Sequence, residues 1–323
     1  MERIGVLTSG GDNPGLNPCI RAVVRMGLEL GMDVMGIYQG YAGLIGGEIK
    51  EMDARSVGGI LGRGGTILGT ARVSEFREVQ GRRKALRTLN RFDIDGLIVI
   101  GGNGSLCGAL ELHRMGFPVI GVPGTIDNDI NGTDIAIGVD TALNTILGAI
   151  DKIKDTASSH NRAFLIETMG RNSGYLALAS GVAGGAELVL CPEIETPMEE
   201  IVQVVEDSYI RGKAHAIIVV AEGWEPGTDA VAEELQARQA ELGFSVRVTR
   251  LGHVQRGGSP WAFDRILATR LGAAAARGLA DGNAGQMVGW VANEVRLTPL
   301  EEAVAYQKEI DRELYRLAQI MDQ

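Results

Sequence analysis

Residues 117–134, FPVIGVPGTIDNDINGTD, set an apolar run directly before a turn that holds Asp127, Asp129 and Asp134 around Gly124 and Gly132. A short run without polar alternation reads as a strand buried on both faces, the condition of a parallel sheet covered by helices. In such sheets ligands settle beyond the carboxyl ends of the strands. The carboxylates therefore stand where chemistry is expected. A plainer reading stands beside this one: a polar turn whose Asp and Asn side chains cap the following helix.

Outward from that turn, short apolar runs alternate with helix-length amphipathic stretches along the whole chain. RIGVLTS (3–9), MDVMGIY (32–38), DGLIVIG (95–101), PVIGVP (118–123), RAFLIETMG (162–170), ELVLCP (187–192), AHAIIVVAE (214–222) and SVRVTRLG (245–252) read as strands. This βαβα rhythm predicts an α/β protein with mainly parallel sheets and helices on both faces. At 323 residues the chain is long enough for two domains, although no Pro/Gly/Ser linker divides it. Many of its 46 glycines fall just after strands, in SGGDNPG, GGNGS, PGTIDND, MGRNSG and HVQRGGSP, where backbone must turn sharply or approach a ligand.

A net charge of −10 argues against nucleic-acid or acidic-membrane partners, because a phosphate polymer is repelled by the average surface. An anionic ligand must then meet locally gathered arginines. Cys19, Cys107 and Cys191 lack CxxC spacing, so neither a disulfide framework nor a zinc site is indicated, and buried thiols in a reducing compartment are expected. No apolar run has membrane-spanning length, and the start MERIGVLTSGG meets glycine before a signal-peptide core forms. A cytoplasmic protein is expected.

GLIVIGGNGSLCGALELHRMG (96–116) gives a strand, a glycine turn and an amphipathic helix, which presents helix-start N–H groups to an anion. Cys107 occupies the third glycine position of GxGxxG, and GxxxxGK[ST] occurs nowhere, so neither the dinucleotide fingerprint nor a P-loop is present. TSGGDNPG and GRGGTILGTAR supply two further turns, the second delivering Arg72. Each alone is as readily structural as functional; together they point to one polyphosphate.

In order, TSGGDNPGLN, GGTILGTAR, GGNGS, PGTIDNDINGTD, SSHNR, ETMGRNSG and LGHVQRGGSP resemble the landmark segments of bacterial-type ATP-dependent 6-phosphofructokinases, over nearly the entire chain. The resemblance implies two doubly wound, Rossmann-like three-layer α/β/α domains with the active site in the cleft between them. It assigns 1–138 plus 255–304 to an ATP-binding domain and 139–254 plus 305–323 to a fructose 6-phosphate-binding domain, with LEEAVAYQKEIDRELYRLAQIM as a final helix returning to the second. It implies phosphoryl transfer from ATP to the 1-hydroxyl of fructose 6-phosphate, the committed step of glycolysis, with Mg²⁺ as cofactor.

Such a transfer needs a positioned nucleophile, charge neutralisation on the phosphates and an acceptor for the hydroxyl proton. By resemblance Asp127 is the general base, Thr125 contacts the transferred phosphoryl, and Arg72 and Arg171 stabilise developing charge, with Arg171 at the start of a helix. Gly11, Arg72, Arg77, Gly102, Gly104, Ser105 and Gly108 would surround ATP. Asp129 and Asn103 would serve the metal. Arg162, Arg247, His253 and Arg256 would hold the 6-phosphate, Arg162 and Arg247 reaching in from a neighbouring subunit, while Met169, Gly170 and Glu222 contact the sugar. Arg21 and Arg25, with Lys154, Gly185, Glu187, Arg211 and Lys213, match an effector site for ADP or phosphoenolpyruvate at an interface of a homotetramer.

Three departures or choices bear on these expectations. Family members that use pyrophosphate carry Asp where this chain has Gly104 and Lys where it has Gly124, so both glycines favour ATP. Asn103 stands where the family commonly has Asp, and the lost charge weakens a hard-cation site. Ala54 stands where the effector site usually has Arg, with Arg55 beside it. A pyrophosphate-dependent enzyme and a catalytically weakened sugar-phosphate-binding paralogue are the alternatives.

Overall fold

The computed structural model describes residues 1–321. In chain order it contains β1 (Arg3–Ser9), α1 (Leu16–Glu29), β2 (Asp33–Ile37), α2 (Gly40–Gly46), β3 (Ile49–Glu51), α3 (Val79–Arg91), β4 (Gly96–Gly101), α4 (Asn103–Arg114) and β5 (Val119–Pro123). There follow α5 (Val139–His160), β6 (Arg162–Thr168), α6 (Tyr175–Gly184), β7 (Leu188–Leu190), α7 (Met198–Ile210), β8 (His215–Ala221), α8 (Thr228–Ala237), α9 (Gln239–Leu242) and β9 (Ser245–Arg250). The chain ends with α10 (Ala262–Ala280), β10 (Gln286–Val291), β11 (Glu294–Pro299), α11 (Leu300–Ala303) and α12 (Arg312–Met321).

Two compact units form: Met1–Thr141 with Arg256–Lys308, and Ala142–Gln255 with the chain from Glu309 onward. The chain thus passes between units within the first turn of α5, between Gln255 and Arg256, and after Lys308. Residues 322 and 323, which the expected second domain includes, lie outside the described residues.

Among the described residues, the first unit holds a seven-stranded sheet in the order β11-β10-β5-β4-β1-β2-β3, parallel except for β3 and β11 at its edges. The apolar strands are buried on both faces because alternate side chains feed different helix layers. Ile98, Ile100, Ile120 and Val122 pack with α1 and α10 through Cys19, Ile20, Val23 and Leu271. Leu97, Val99 and Val119 pack with Leu44, Leu89 and Leu106 of α2, α3 and α4. A Cβ at Gly272 would lie 2.6 Å from the Cys19 carbonyl oxygen, so glycine permits the close approach of α10 to α1.

The second unit holds a four-stranded parallel sheet, β7-β8-β6-β9. Leu165, Ile218 and Val220 face Ile201, Val205, Val231 and Leu235 of α7 and α8. On the other face α6 packs on β7 and β8, and α12 packs on α6. No helix among the described residues is long and apolar enough to cross a membrane.

The β10–β11 hairpin and β3 are absent from the expected strand set. Ala292 and Asn293 make the hairpin turn, with φ of 51° and 65°, the backbone that two-residue hairpins require. The pair lacks the glycine that usually announces such a turn, and β11 is an exposed edge strand carrying Glu294 and Arg296. The expected final helix over 300–321 is also corrected: it breaks into α11 and α12. The intervening segment is drawn into the first unit, where Gln307 bridges Ile130 and the Lys308 N–H donates to the Asp129 carbonyl at 3.0 Å. One thiol also departs from expectation. Cys19 and Cys191 are buried, and burial pushes both thiols up, whereas Cys107 is exposed on α4.

Asp264, fully buried on α10, caps the start of α5. Its carboxylate accepts from Gly138 N–H at 2.8 Å, Thr141 N–H at 2.8 Å and Thr141 Oγ1 at 2.6 Å. Burial outweighs these donors and pushes the carboxyl up from 3.8 to about 6. Because the folded pKa is raised, the associated stability is fully present below pH 3.8 and is lost as pH rises through 6. The shift corresponds to about 3 kcal/mol. Thermal melting of Asp264→Asn should therefore show a lower melting temperature and a flatter profile from pH 4 to about 6.5 than the parent; an unchanged slope would contradict the assignment.

Candidate functional site

In the first unit, Ser9 of β1 pairs with Gly101 of β4, and Gly101 pairs with Pro123 of β5. The three strands therefore end level, and the turns after them leave from one edge of the sheet. The chain runs outward from β1 to β2 on one side and places β4 on the other, so β1 and β4 flank the topological switch point, the usual ligand crevice of an open α/β sheet.

Close approach dictates Gly101, and Gly11 lies against a cation. A Cβ on Gly101 would lie 2.4 Å from the Ser9 carbonyl oxygen, and one on Gly11 would lie 2.0 Å from Arg256 Nη1. That guanidinium also donates to the Asp12 carbonyl at 3.4 Å, which brings a cation to the first glycine turn. The GGTILGTAR segment is fastened to the same turn: Thr70 Oγ1 donates to the Gly10 carbonyl at 2.9 Å, and Asn17 Oδ1 accepts from Ile67 N–H at 2.7 Å. Arg72 thus emerges beside the glycine turns with its side chain exposed, and Arg77 is exposed in the short helix Glu75–Arg77.

α4 begins at Asn103, with Gly104 exposed and nothing within 4 Å of a Cβ built on it. Gly124 is different, because its Cβ would lie 3.2 Å from Leu16 and 3.4 Å from Asn13 and Ile100. Gly108 has a structural reason of its own: a Cβ would lie 2.8 Å from the Tyr41 hydroxyl, which donates to the Ser105 carbonyl at 2.7 Å. Ser105 is buried at the helix start.

Thr125 lies against Gly102, and its Oγ1 accepts from Asp127 N–H at 3.2 Å. Asp127 is 8% exposed and Asp129 half-buried. The turn keeps its shape through Asn128, whose φ is 49° and whose amide accepts from Ala136 N–H at 2.9 Å and donates to the Asp134 carbonyl at 3.1 Å. Asp129 receives a hydrogen bond from Gln307 Nε2 at 3.2 Å, and Asn103 Nδ2 lies 3.4 Å from the Asp129 carbonyl. Lys308 Nζ donates to the Thr133 and Asp134 carbonyls at 3.1 and 2.7 Å. Asn128, Tyr41, Gln307 and Lys308 are absent from the sequence-derived site; only Asn128, inside the motif, carried a local signal.

No group of three or more His, Cys, Asp or Glu able to hold a metal occurs among the described residues. Asp129 and Asn103, which lie against each other, carry hard oxygens that suit Mg²⁺ bound through one or two protein groups and substrate phosphates. The residues fit that cofactor.

In the second unit the carboxyl ends of β6 and β8 are level, Thr168 pairing with Ala221. Glu222 Oε1 accepts from Gly170 N–H at 3.3 Å and Arg171 N–H at 2.9 Å. Arg171 does not begin a helix as expected. It sits in the turn before α6 with φ of 52°, its side chain exposed, and Gly223 packs so tightly on its carbonyl that a Cβ there would approach to 1.7 Å. Met169 and Gly170 are buried beside it, and exposed His253 lies in the turn Gly252–Arg256 after β9.

Arg162 and Arg247 are not brought to this edge. Arg162 opens β6, six residues before Thr168 and about 20 Å away along the strand, and Arg247 is level with Phe164. Four expected effector residues gather near that opposite edge. Lys154 Nζ lies 3.3 Å from a Cβ built on Gly185, Lys213 Nζ is 3.4 Å from Glu187 Oε1, and Glu187 Oε2 accepts from Ile217 N–H at 2.6 Å. Arg211 is exposed after α7. In the first unit, Arg21 is half-buried and Arg25 exposed on α1.

The phosphofructokinase family model matches residues 3–279. The chain is 54% identical over 319 residues to an ATP-dependent 6-phosphofructokinase of Halalkalibacterium halodurans, covering 99% of each chain. It is 55% identical over 322 residues to ATP-dependent 6-phosphofructokinase 1 of Thermus thermophilus, again covering 99% of each. Among solved structures, phosphofructokinase from Saccharomyces cerevisiae superposes with a TM-score of 0.86 at 39% identity, over 94% of this chain and 45% of that one. A sheet edge of level glycine turns, an acidic turn beside them and end-to-end likeness of sequence and fold lead to one assignment: the chain belongs to the phosphofructokinase family.

Proposed function

We propose that the protein transfers the terminal phosphoryl group of ATP to the 1-hydroxyl of D-fructose 6-phosphate, giving fructose 1,6-bisphosphate and ADP, the committed step of glycolysis. The observation that carries this reading is the Thr125–Asp129 turn, which leaves the same sheet edge as two glycine turns in a chain alike from end to end to enzymes named for this activity. Gly104, with open space beside it, supports ATP over pyrophosphate as donor.

In this reading Asp127 takes the proton of the attacking hydroxyl. Its near-complete burial favours the role by limiting competition from water. Thr125 contacts the phosphoryl in transit, and Arg72 and Arg171 meet the charge that develops on it. Gly11, Arg77, Gly102, Ser105 and Gly108 bound the nucleotide. Met169, Gly170 and Glu222 receive the sugar, the Glu222 carboxylate also holding the turn that presents Arg171. His253 and Arg256 hold the 6-phosphate with Arg162 and Arg247. The distance of those two arginines from the Met169 turn within one chain supports their service to a neighbouring subunit's site, in an assembly proposed to be a homotetramer.

Mg²⁺ bound at this turn would neutralise charge on the phosphates and polarise the transferring group. Asp129 and Asn103 are the residues that would hold it. Asn103 offers an oxygen without a charge, while Gln307 and Lys308 keep Asp129 oriented. The enzyme works in the cytoplasm and responds to ADP or phosphoenolpyruvate at a site formed by Arg21, Arg25, Lys154, Gly185, Glu187, Arg211 and Lys213. Ala54 alters the strength of that response.

Three measurements test these roles. Asp127→Asn should lower kcat by about 10²–10⁴ while fructose 6-phosphate still binds, and near-parental turnover would remove Asp127 from proton transfer. Asn103→Asp should lower the magnesium concentration needed for half-maximal rate, and should tighten Mn²⁺–nucleotide binding followed by electron paramagnetic resonance; identical metal dependence would refute the weakening. Saturation curves for fructose 6-phosphate should shift with ADP or phosphoenolpyruvate, and curves unmoved by either would reject the effector site.

A further inference from the structure

Gln255 is fully buried, yet its side chain is polar and belongs to no strand ladder. Both ends of its amide are engaged. Oε1 accepts from Met169 N–H at 3.1 Å, and Nε2 donates to the Gly252 carbonyl at 3.0 Å. The next two amides of the Met169 turn, on Gly170 and Arg171, are taken by Glu222. Three consecutive N–H groups after β6 are therefore held by side chains from the turns after β8 and β9. The turn has reason to be tied down, because Arg171 adopts a positive φ that L residues seldom occupy and Gly170 has φ of 142°.

We propose that Gln255 is a positioning residue for the sugar-phosphate site. Resting on the phosphofructokinase reading above, it locks the turn of Met169 and Arg171 to the turn of His253, so that both are set before ligand arrives. The boundary between compact units falls directly after Gln255, and the next residue, Arg256, instead contacts the Asp12 carbonyl of the first unit. The Gln255 side chain itself bonds only within the turns of Met169 and His253, so its loss is expected to move sugar-phosphate affinity more than nucleotide affinity. A Gln that only satisfied its own amide would alter stability without this asymmetry.

Gln255→Met keeps the buried volume and removes both hydrogen bonds, leaving the Met169 N–H without its acceptor. The variant should raise the KM for fructose 6-phosphate about tenfold and leave the KM for ATP within about twofold. Gln255→Glu, when protonated, again accepts from Met169 and donates to Gly252, so the ratio of its KM for fructose 6-phosphate to that of the parent should narrow as pH falls, and a ratio constant with pH would count against the bridge. Amide hydrogen exchange gives a readout that needs no turnover: protection at residues 169–171 should fall in Gln255→Met relative to the sheet strands. Equal changes in both KM values, or a lowered melting temperature with neither KM moved, would overturn the proposal. So would unchanged exchange at 169–171. A parent enzyme unable to phosphorylate fructose 6-phosphate would instead defeat the underlying functional reading, and the exchange comparison would still decide the role of Gln255.

Discussion

The level ending of β1, β4 and β5 is the constraint on which the rest of the first unit's candidate site depends. Backbone pairing of Ser9 with Gly101 and of Gly101 with Pro123 fixes where three turns begin. Parallel pairing in a sheet buried on both faces resists slippage, because a shift of one residue would exchange the side chains facing α1 and α10 with those facing α2, α3 and α4. The core thus sets the register, and the register sets the spacing of the turns. Gly101 follows from the same constraint, since it stands where the Ser9 carbonyl leaves no room for a Cβ.

A second level of order consists of polar side chains that hold those turns in shape. Asn128 bonds across the acidic turn, Asn17 and Thr70 fasten the GGTILGTAR segment, and Glu222 and Gln255 together take the amides of Met169 to Arg171. Each replaces a hydrogen bond that water would otherwise make. Leaving a buried backbone donor unpaired costs about 1–3 kcal/mol, so these side chains limit the conformations open to the turns. The side chains to which the proposed reaction assigns roles stand on backbone already placed: Asp127 largely out of water, Arg72 and Arg171 exposed beside their turns.

Much of this was legible in the sequence. Continuous apolar runs such as GLIVIG announced buried parallel strands, and glycines after them marked the turns. The motif order carried the family. What stayed hidden had physical causes. The β10–β11 hairpin turns through Ala-Asn, whose left-handed backbone has no glycine signature. The stretch over 300–321 reads as one helix because its break is imposed by Asp129 and Ile130, far away in sequence. Gln307 and Lys308 meet the acidic turn for the same reason, and no local pattern reports a partner almost 180 positions away. Gly108 also packs on Tyr41, a contact invisible before folding. Arg171 reads as a helix start because ETMGRNSG precedes a helix, whereas the turn occupies four residues more.

In the proposed reaction this acidic turn and its neighbouring glycines move a phosphoryl group from ATP to the first carbon's hydroxyl of fructose 6-phosphate. Phosphorus NMR of the parent enzyme with fructose 6-phosphate, magnesium and ATP, beside a second sample with pyrophosphate as the only donor, measures this directly. The account predicts loss of the γ-phosphorus signal with matching growth of a sugar 1-phosphate signal, and an unchanged spectrum with pyrophosphate. Consumption of pyrophosphate with ATP left intact, or ATP hydrolysis releasing inorganic phosphate without any sugar 1-phosphate, would contradict it.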